Sequence, residues 1–186
     1  MEDKAISRLF EISYKTAETP LTSDERIFVN EMLISNNENH VIISAMILMG
    51  EKEEHIDKIL EMFNTYPLLT KKILIPNLAS LYYYKAYKFL FEYLKETTIP
   101  ELAATICICL AKTEYPVTPY LLYYLEKSNK NFEKKLVKII KYMGIKKLKK
   151  HLALLPVIPK ESVFREVFGD LEINFIKTLS KKHQDN

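Results

Sequence analysis

The chain has 186 residues, 48% hydrophobic and 27% charged, with a formal net charge of +3 and only three glycines. That balance is too apolar for a disordered chain, and the length suffices for one domain or one repeat array with its own core. Average usage would give roughly thirteen glycines; Gly50, Gly144 and Gly169 lie far apart, which excludes glycine-rich phosphate loops and Rossmann turns.

The charge is uneven along the chain. Residues 134–186 carry 13 Lys+Arg and 5 Asp+Glu, whereas residues 1–133 carry 14 and 19. Such polarity points to an acidic partner for the C-terminal part. Cys107 and Cys109 stand one residue apart, on different faces of a helix, and cannot bridge without strain. The opening Met1-Glu2-Asp3-Lys4 has no apolar signal core. The longest apolar run, Val41–Met49, falls short of the ~20 residues of a membrane helix. Together these predict a soluble protein of a reducing, cytoplasmic compartment.

Every stretch with a readable period reads as helix. Residues 5–15 gather Ile6, Leu9, Phe10 and Ile12 on one side, and Pro20 closes the segment. Ser23 is the expected N-cap of a helix to Ile34, with Asp24 and Glu25 in its first turn. Asn36-Asn37-Glu38-Asn39 reads as a turn. Residues 40–50 are apolar nearly all round, and Gly50 is expected as a left-handed C-cap. Residues 53–65 follow, with Ile56, Ile59, Leu60 and Phe63 at helical spacing before Pro67. Further helices are expected over 69–82, 84–96, 100–112, 117–128, 132–143, 145–155, 160–170 and 172–182. Pro100 suits a first helical position, and 129–131 and 156–159 read as breaks. Tyr82-Tyr83-Tyr84 favours strand locally, but its surroundings are helical.

The pattern repeats. Val29–Ser35, Ile59–Thr65, Phe89–Lys95 and Leu121–Lys127 are alike and follow one another at about thirty residues. Between them Ile43–Gly50, Leu74–Leu81, Ala103–Ala111 and Leu136–Gly144 also align, and Met49-Gly50 matches Met143-Gly144. Two helices per unit at that period is the mark of an α-solenoid, whose units bury their apolar faces only by stacking. The expected fold is all-α: a right-handed α-solenoid of about five antiparallel helix pairs. Residues 1–22 would be an N-terminal capping helix, 23–155 the repeats, and 156–186 a C-terminal capping pair.

His40–Tyr66 resembles a short HEAT-like repeat, of the armadillo-like kind also found in phycobilisome-lyase-type repeat proteins. The resemblance rests on the paired small residues Ser44-Ala45 and Ala103-Ala104 and on Pro76 inside a first helix, and it extends over roughly residues 5–155. The family's acidic or glycine-rich turn is replaced by Glu51-Lys52-Glu53 and Lys112-Thr113-Glu114. The resemblance implies architecture and carries no catalytic residue. A tetratricopeptide array would need its Trp/Gly/Tyr pattern, and this chain has no Trp. HEAT-like DNA glycosylases use Trp, Asp and Arg; the three arginines here, Arg8, Arg26 and Arg165, avoid the middle repeats.

Little else suggests bond-making chemistry. His40, His55, His151 and His183 form no zinc spacing. Glu51 and His55 lie four apart and read as a surface pair. Glu53-Glu54 and Glu51-Glu54 are paired carboxylates in a polar turn, and Cys107 and Cys109 read as small buried hydrophobes. No catalytic residue, metal or cofactor is expected. The strongest signal is basic: Lys134, Lys135, Lys138, Lys141, Lys146, Lys147, Lys149 and Lys150, with no acid between 134 and 160. Leu136, Ile139, Ile140 and Met143 take the buried side, which leaves the cations to line the outside of a helix hairpin. A second signal is the tyrosines, where Tyr83 and Tyr87 are expected on one exposed stripe and Tyr120 and Tyr124 on another. The expected function is a non-enzymatic scaffold or adaptor binding a protein partner with an acidic patch. The alternative is nucleic-acid binding through the 134–150 hairpin.

Overall fold

The computed structural model describes residues 3–51 and 53–184. The side chains of Glu53, Glu54 and His183, weighed above for chemistry, lie outside the described residues. The described residues form helices joined by short turns, with no strand among them. In chain order come α1 (Lys4–Thr16), α2 (Ser23–Leu33), α3 (Glu38–Met49), α4 (Glu53–Met62) with a 3-10 turn Phe63–Thr65, α5 (Leu68–Ser80) and α6 (Tyr84–Glu96). Then follow α7 (Pro100–Lys112), α8 (Thr118–Glu126), α9 (Lys130–Leu152), α10 (Glu161–Phe168) and α11 (Asp170–Gln184). The chain divides into two compact units, Met1–Phe89 and Leu90–Asn186.

Local sequence sets several of the helix starts. Asp3 Oδ1 accepts from the Ala5 and Ile6 amides at 3.0 and 3.3 Å and opens α1. The N-cap of α2 is Thr22, one residue before the expected Ser23. Thr22 Oγ1 accepts from the Glu25 amide at 3.3 Å while Glu25 Oε2 accepts from the Thr22 amide at 2.8 Å, a reciprocal capping box. Asn37 and Asn129 cap α3 and α9 in the same one-sided way, each accepting from a first-turn amide.

The glycines divide differently from expectation. Gly50 caps α3 in a right-handed conformation, φ −79° and ψ −12°, so it is no left-handed cap. Gly144 does leave the helical region, with φ 70° and ψ 162°. It breaks α9 without an intervening loop, so the two helices expected at 132–143 and 145–155 follow each other directly. Gly169, at φ 89°, makes the same kind of break between α10 and α11.

In the first unit α3 is the centre. Its Val41, Ile42, Ala45, Ile47, Leu48 and Met49 are buried, which is why the segment is apolar all round. α1, α2, α4 and α5 all pack on it. In the second unit α9 has that place and meets α7, α8, α10 and α11. Its Leu136, Ile139, Ile140, Leu148 and Leu152 are buried.

Polar side chains then tie helix to helix. Thr70, in the first turn of α5, donates from its amide and hydroxyl to Glu38 Oε1 at 2.9 and 2.7 Å. That carboxylate caps a helix whose own N-cap, Pro67, has no side chain to offer. Glu51 accepts from the Leu21 amide at 2.6 Å and pairs with Arg26 at 3.2 Å. At the chain's start His40 meets Asp3 Oδ2 at 2.8 Å and Ser35 Oγ at 3.1 Å, and so fastens α1 to the turn before α3. Tyr83 and Lys85 both donate to Asp57, at 2.7 and 2.5 Å, which holds the Asp57 carboxyl below its usual range.

Candidate interaction surface

The basic segment occupies α9. An α-helix leaves its last four carbonyls without partners and carries negative charge at that end. Lys135 Nζ donates to the Leu94 and Thr97 carbonyls, both at 2.7 Å, and to Lys95 at 3.3 Å, closing the end of α6. Lys147 Nζ donates to the Ala111 carbonyl at 2.8 Å and to that of Thr113, closing α7. Lys160, outside the predicted set, reaches the Ser128 carbonyl at 3.2 Å, just past α8, and also holds Glu133. Burial lowers the pKa of both Lys135 and Lys147. These two lysines are therefore not on an open outer face, as the periodicity suggested. They lie half-buried with their ammonium groups turned onto the backbone of earlier helices.

Lys149 is half-buried as well. It stands 3.8 Å from Glu172 and 4.3 Å over the Phe175 ring of α11. The other five, Lys134, Lys138, Lys141, Lys146 and Lys150, are exposed. None forms an ion pair among the described residues. Lys134, Lys138 and Lys141 follow one stripe of α9 before Gly144; Lys146 and Lys150 are four apart after it.

Sequence reasoning missed Tyr142, which is 57% exposed on the same helix. The signal was available: Tyr142 is four residues past Lys138 and off the stripe of Leu136, Ile139, Ile140 and Met143.

The tyrosine expectation needs correction. Tyr83 and Tyr87 are 4% and 0% exposed and form no outer stripe. Tyr87 donates to the Ala79 carbonyl at 3.1 Å and to that of Leu81, while Tyr83 serves Asp57. Tyr124 is 6% exposed, stacks on Phe91 with centroids 5.0 Å apart, and donates to Glu92 at 2.9 Å. Burial and the Glu92 carboxylate push its phenol above the ordinary range. Tyr120 is half-buried against Phe91. Outward rings belong instead to Tyr14, Tyr82, Tyr84, Tyr123 and Tyr142. Lys127 covers Tyr123, 4.0 Å from its centroid.

Of the two cysteines, Cys107 is buried and Cys109 half-buried. Burial pushes the Cys107 thiol up to about 11 and raises that of Cys109, so both stay protonated near neutrality. Glu51 and His55 stand 4.0 Å apart, both largely buried rather than on the surface. Among the described residues no three His, Cys, Asp or Glu side chains gather as a metal site, and no helix is long and apolar enough to cross a membrane.

No protein-family model matches the chain, and neither the curated proteins nor the solved structures contain a match to it.

Proposed function

We propose that the chain is a non-enzymatic protein-interaction module, a scaffold or adaptor of a reducing, cytoplasmic compartment. Its architecture on this reading is a right-handed, HEAT-like α-solenoid of about five antiparallel helix pairs. Two features support the repeat. Helices two apart in sequence pack together: α1 on α3 and α3 on α5 in the first unit, α7 on α9 in the second. Several of the polar ties between helices also fall close to thirty residues of sequence. Glu38–Thr70, Glu92–Tyr124 and Ser128–Lys160 each span 32 residues, and Asn30–Lys58 and Cys107–Lys135 each span 28. A stack with a period near thirty would produce that register.

The observation that carries the interaction role is the set of five exposed lysines on α9 that form no ion pair among the described residues. An uncompensated cationic face draws an oppositely charged partner and orients its approach. A second reading, nucleic-acid binding, rests on the same lysines, because phosphates seek such charge.

Affinity capture from the cells in which the protein is native, with cross-linking mass spectrometry and a nuclease-treated control, tests the proposal. The expected result is a protein partner retained after nuclease treatment. A partner lost on nuclease treatment favours the second reading, and the absence of any specific partner contradicts both.

A further inference from the structure

We propose that Lys134, Lys138, Lys141, Lys146 and Lys150, with Tyr142 among them, form the docking face for an acidic amphipathic helix of a partner protein. The inference rests on the interaction-module reading and adds the place and chemistry of the contact.

Three observations lead to it. The first is the division of labour along α9. Lys135 and Lys147 spend their charge on the carbonyls of α6 and α7. The part of α9 before Gly144 and the part after it are each tied in this way to an earlier helix. A face ordered before contact loses less entropy on binding.

The second is spacing. Lys134, Lys138 and Lys141 recur at i, i+4 and i+7, over about 10 Å at 1.5 Å per residue. Carboxylates at i, i+4 and i+7 of a partner helix repeat at the same intervals. Tyr142, 57% exposed beside Lys141, offers an aromatic surface between the cations. Interfaces are commonly organised around such an anchor with charges at the rim.

The third is the kind of cation. Residues 134–160 contain no arginine, the side chain whose fork recognises phosphates and guanine edges. Single-strand binders also use successive aromatics as stacking platforms, whereas Tyr142 is the one exposed large aromatic of α9. Lysines without arginine and a single exposed ring on α9 suit an acidic helix better than a nucleic acid.

The test is fluorescence anisotropy on the full-length protein with defined probes. One is a helical peptide of about 18 residues with Glu at i, i+4 and i+7 and leucines on the adjoining stripe. The others are its Gln counterpart and single-stranded RNA and DNA of matched charge. The Glu peptide is expected to bind, to weaken as salt rises, and to lose at least about tenfold in affinity for K134Q/K138Q/K141Q/K146Q/K150Q. Y142A is expected to weaken it about tenfold. Since these side chains serve no internal bond among the described residues, the variants should keep the wild-type circular dichroism; K138Q/K141Q is the milder version should the five-site variant misfold. Equal binding of the Gln peptide, or Glu-peptide binding indifferent to the lysine variants, overturns the proposal. Tighter binding of RNA or DNA than of the Glu peptide at the same salt overturns it in favour of nucleic acid. A captured protein partner whose cross-links avoid α9 defeats this docking face and leaves the interaction-module reading intact.

Discussion

Lys135 Nζ donates to the carbonyl oxygen of Leu94 at 2.7 Å, across 41 residues of sequence. That bond, with its companion to Thr97, makes one lysine the C-cap of α6. K135M should therefore destabilise the protein by about 1–2 kcal/mol, since a charged donor to otherwise open carbonyls is lost and the site is only partly exposed. K138Q, three residues on and fully outward, should change stability by less than about 0.5 kcal/mol. Urea unfolding followed by circular dichroism compares the two; equal effects would refute the division between them.

This pair also shows what the sequence could and could not reveal. Apolar patterning located the helices, because buried Leu, Ile and Val recur at helical spacing or, in α3, occupy nearly every side, although Glu38 and Asn39, which open α3, read as a turn. It could not separate Lys135 from Lys138. Both flank the buried stripe, and the acceptors that claim Lys135 lie about forty residues away. The tyrosines fail for the same reason. Tyr87 and Tyr124 read as outward from their helical spacing, yet each hydroxyl finds its acceptor within the fold, on Ala79 and Glu92. Gly144 was legible as a break, whereas Gly50, in the matching slot, keeps right-handed geometry that any residue can adopt.

That contrast gives the second prediction. Gly144, at φ 70° and ψ 162°, occupies a region open essentially to glycine alone. G144A should cost about 1–3 kcal/mol from backbone strain. At Gly50 an added Cβ would come no closer than 3.4 Å to the Ile47 carbonyl. G50A should be neutral or stabilising by up to about 1 kcal/mol, because alanine narrows the unfolded ensemble. Thermal unfolding of both variants decides; a larger loss for G50A would contradict the assigned conformations.

Glu38 caps α5 from a neighbouring helix, accepting from the Thr70 amide at 2.9 Å. E38A should destabilise by about 1–2 kcal/mol, in line with the loss of an N-cap. E38Q keeps an amide oxygen in the same place and should recover most of that loss. If glutamine is no better than alanine, the capping account of Glu38 is wrong.

Acid should weaken the fold through its paired carboxylates. Glu25 is held at about 2, chiefly by its bond with Lys15 and then by the Thr22 amide and hydroxyl. Asp57 and Glu161 are lowered by their own cationic partners. For acids with a depressed folded pKa, the stabilising contribution is complete above the unfolded value and is lost as protons bind the folded state. Stability should therefore fall from about pH 4.5 toward pH 2. E25Q should flatten part of that slope, read from urea midpoints across the range.

The central claim is that the basic segment holds two populations of lysine, one closing helices and one facing outward. Pulsed reductive methylation of the native protein, read by mass spectrometry, measures it site by site. Lys134, Lys138, Lys141, Lys146 and Lys150 should react at the rate of free amines, while Lys135, Lys147 and Lys160 are protected and become equally reactive in urea. Uniform reactivity of all eight in the native state would contradict the account.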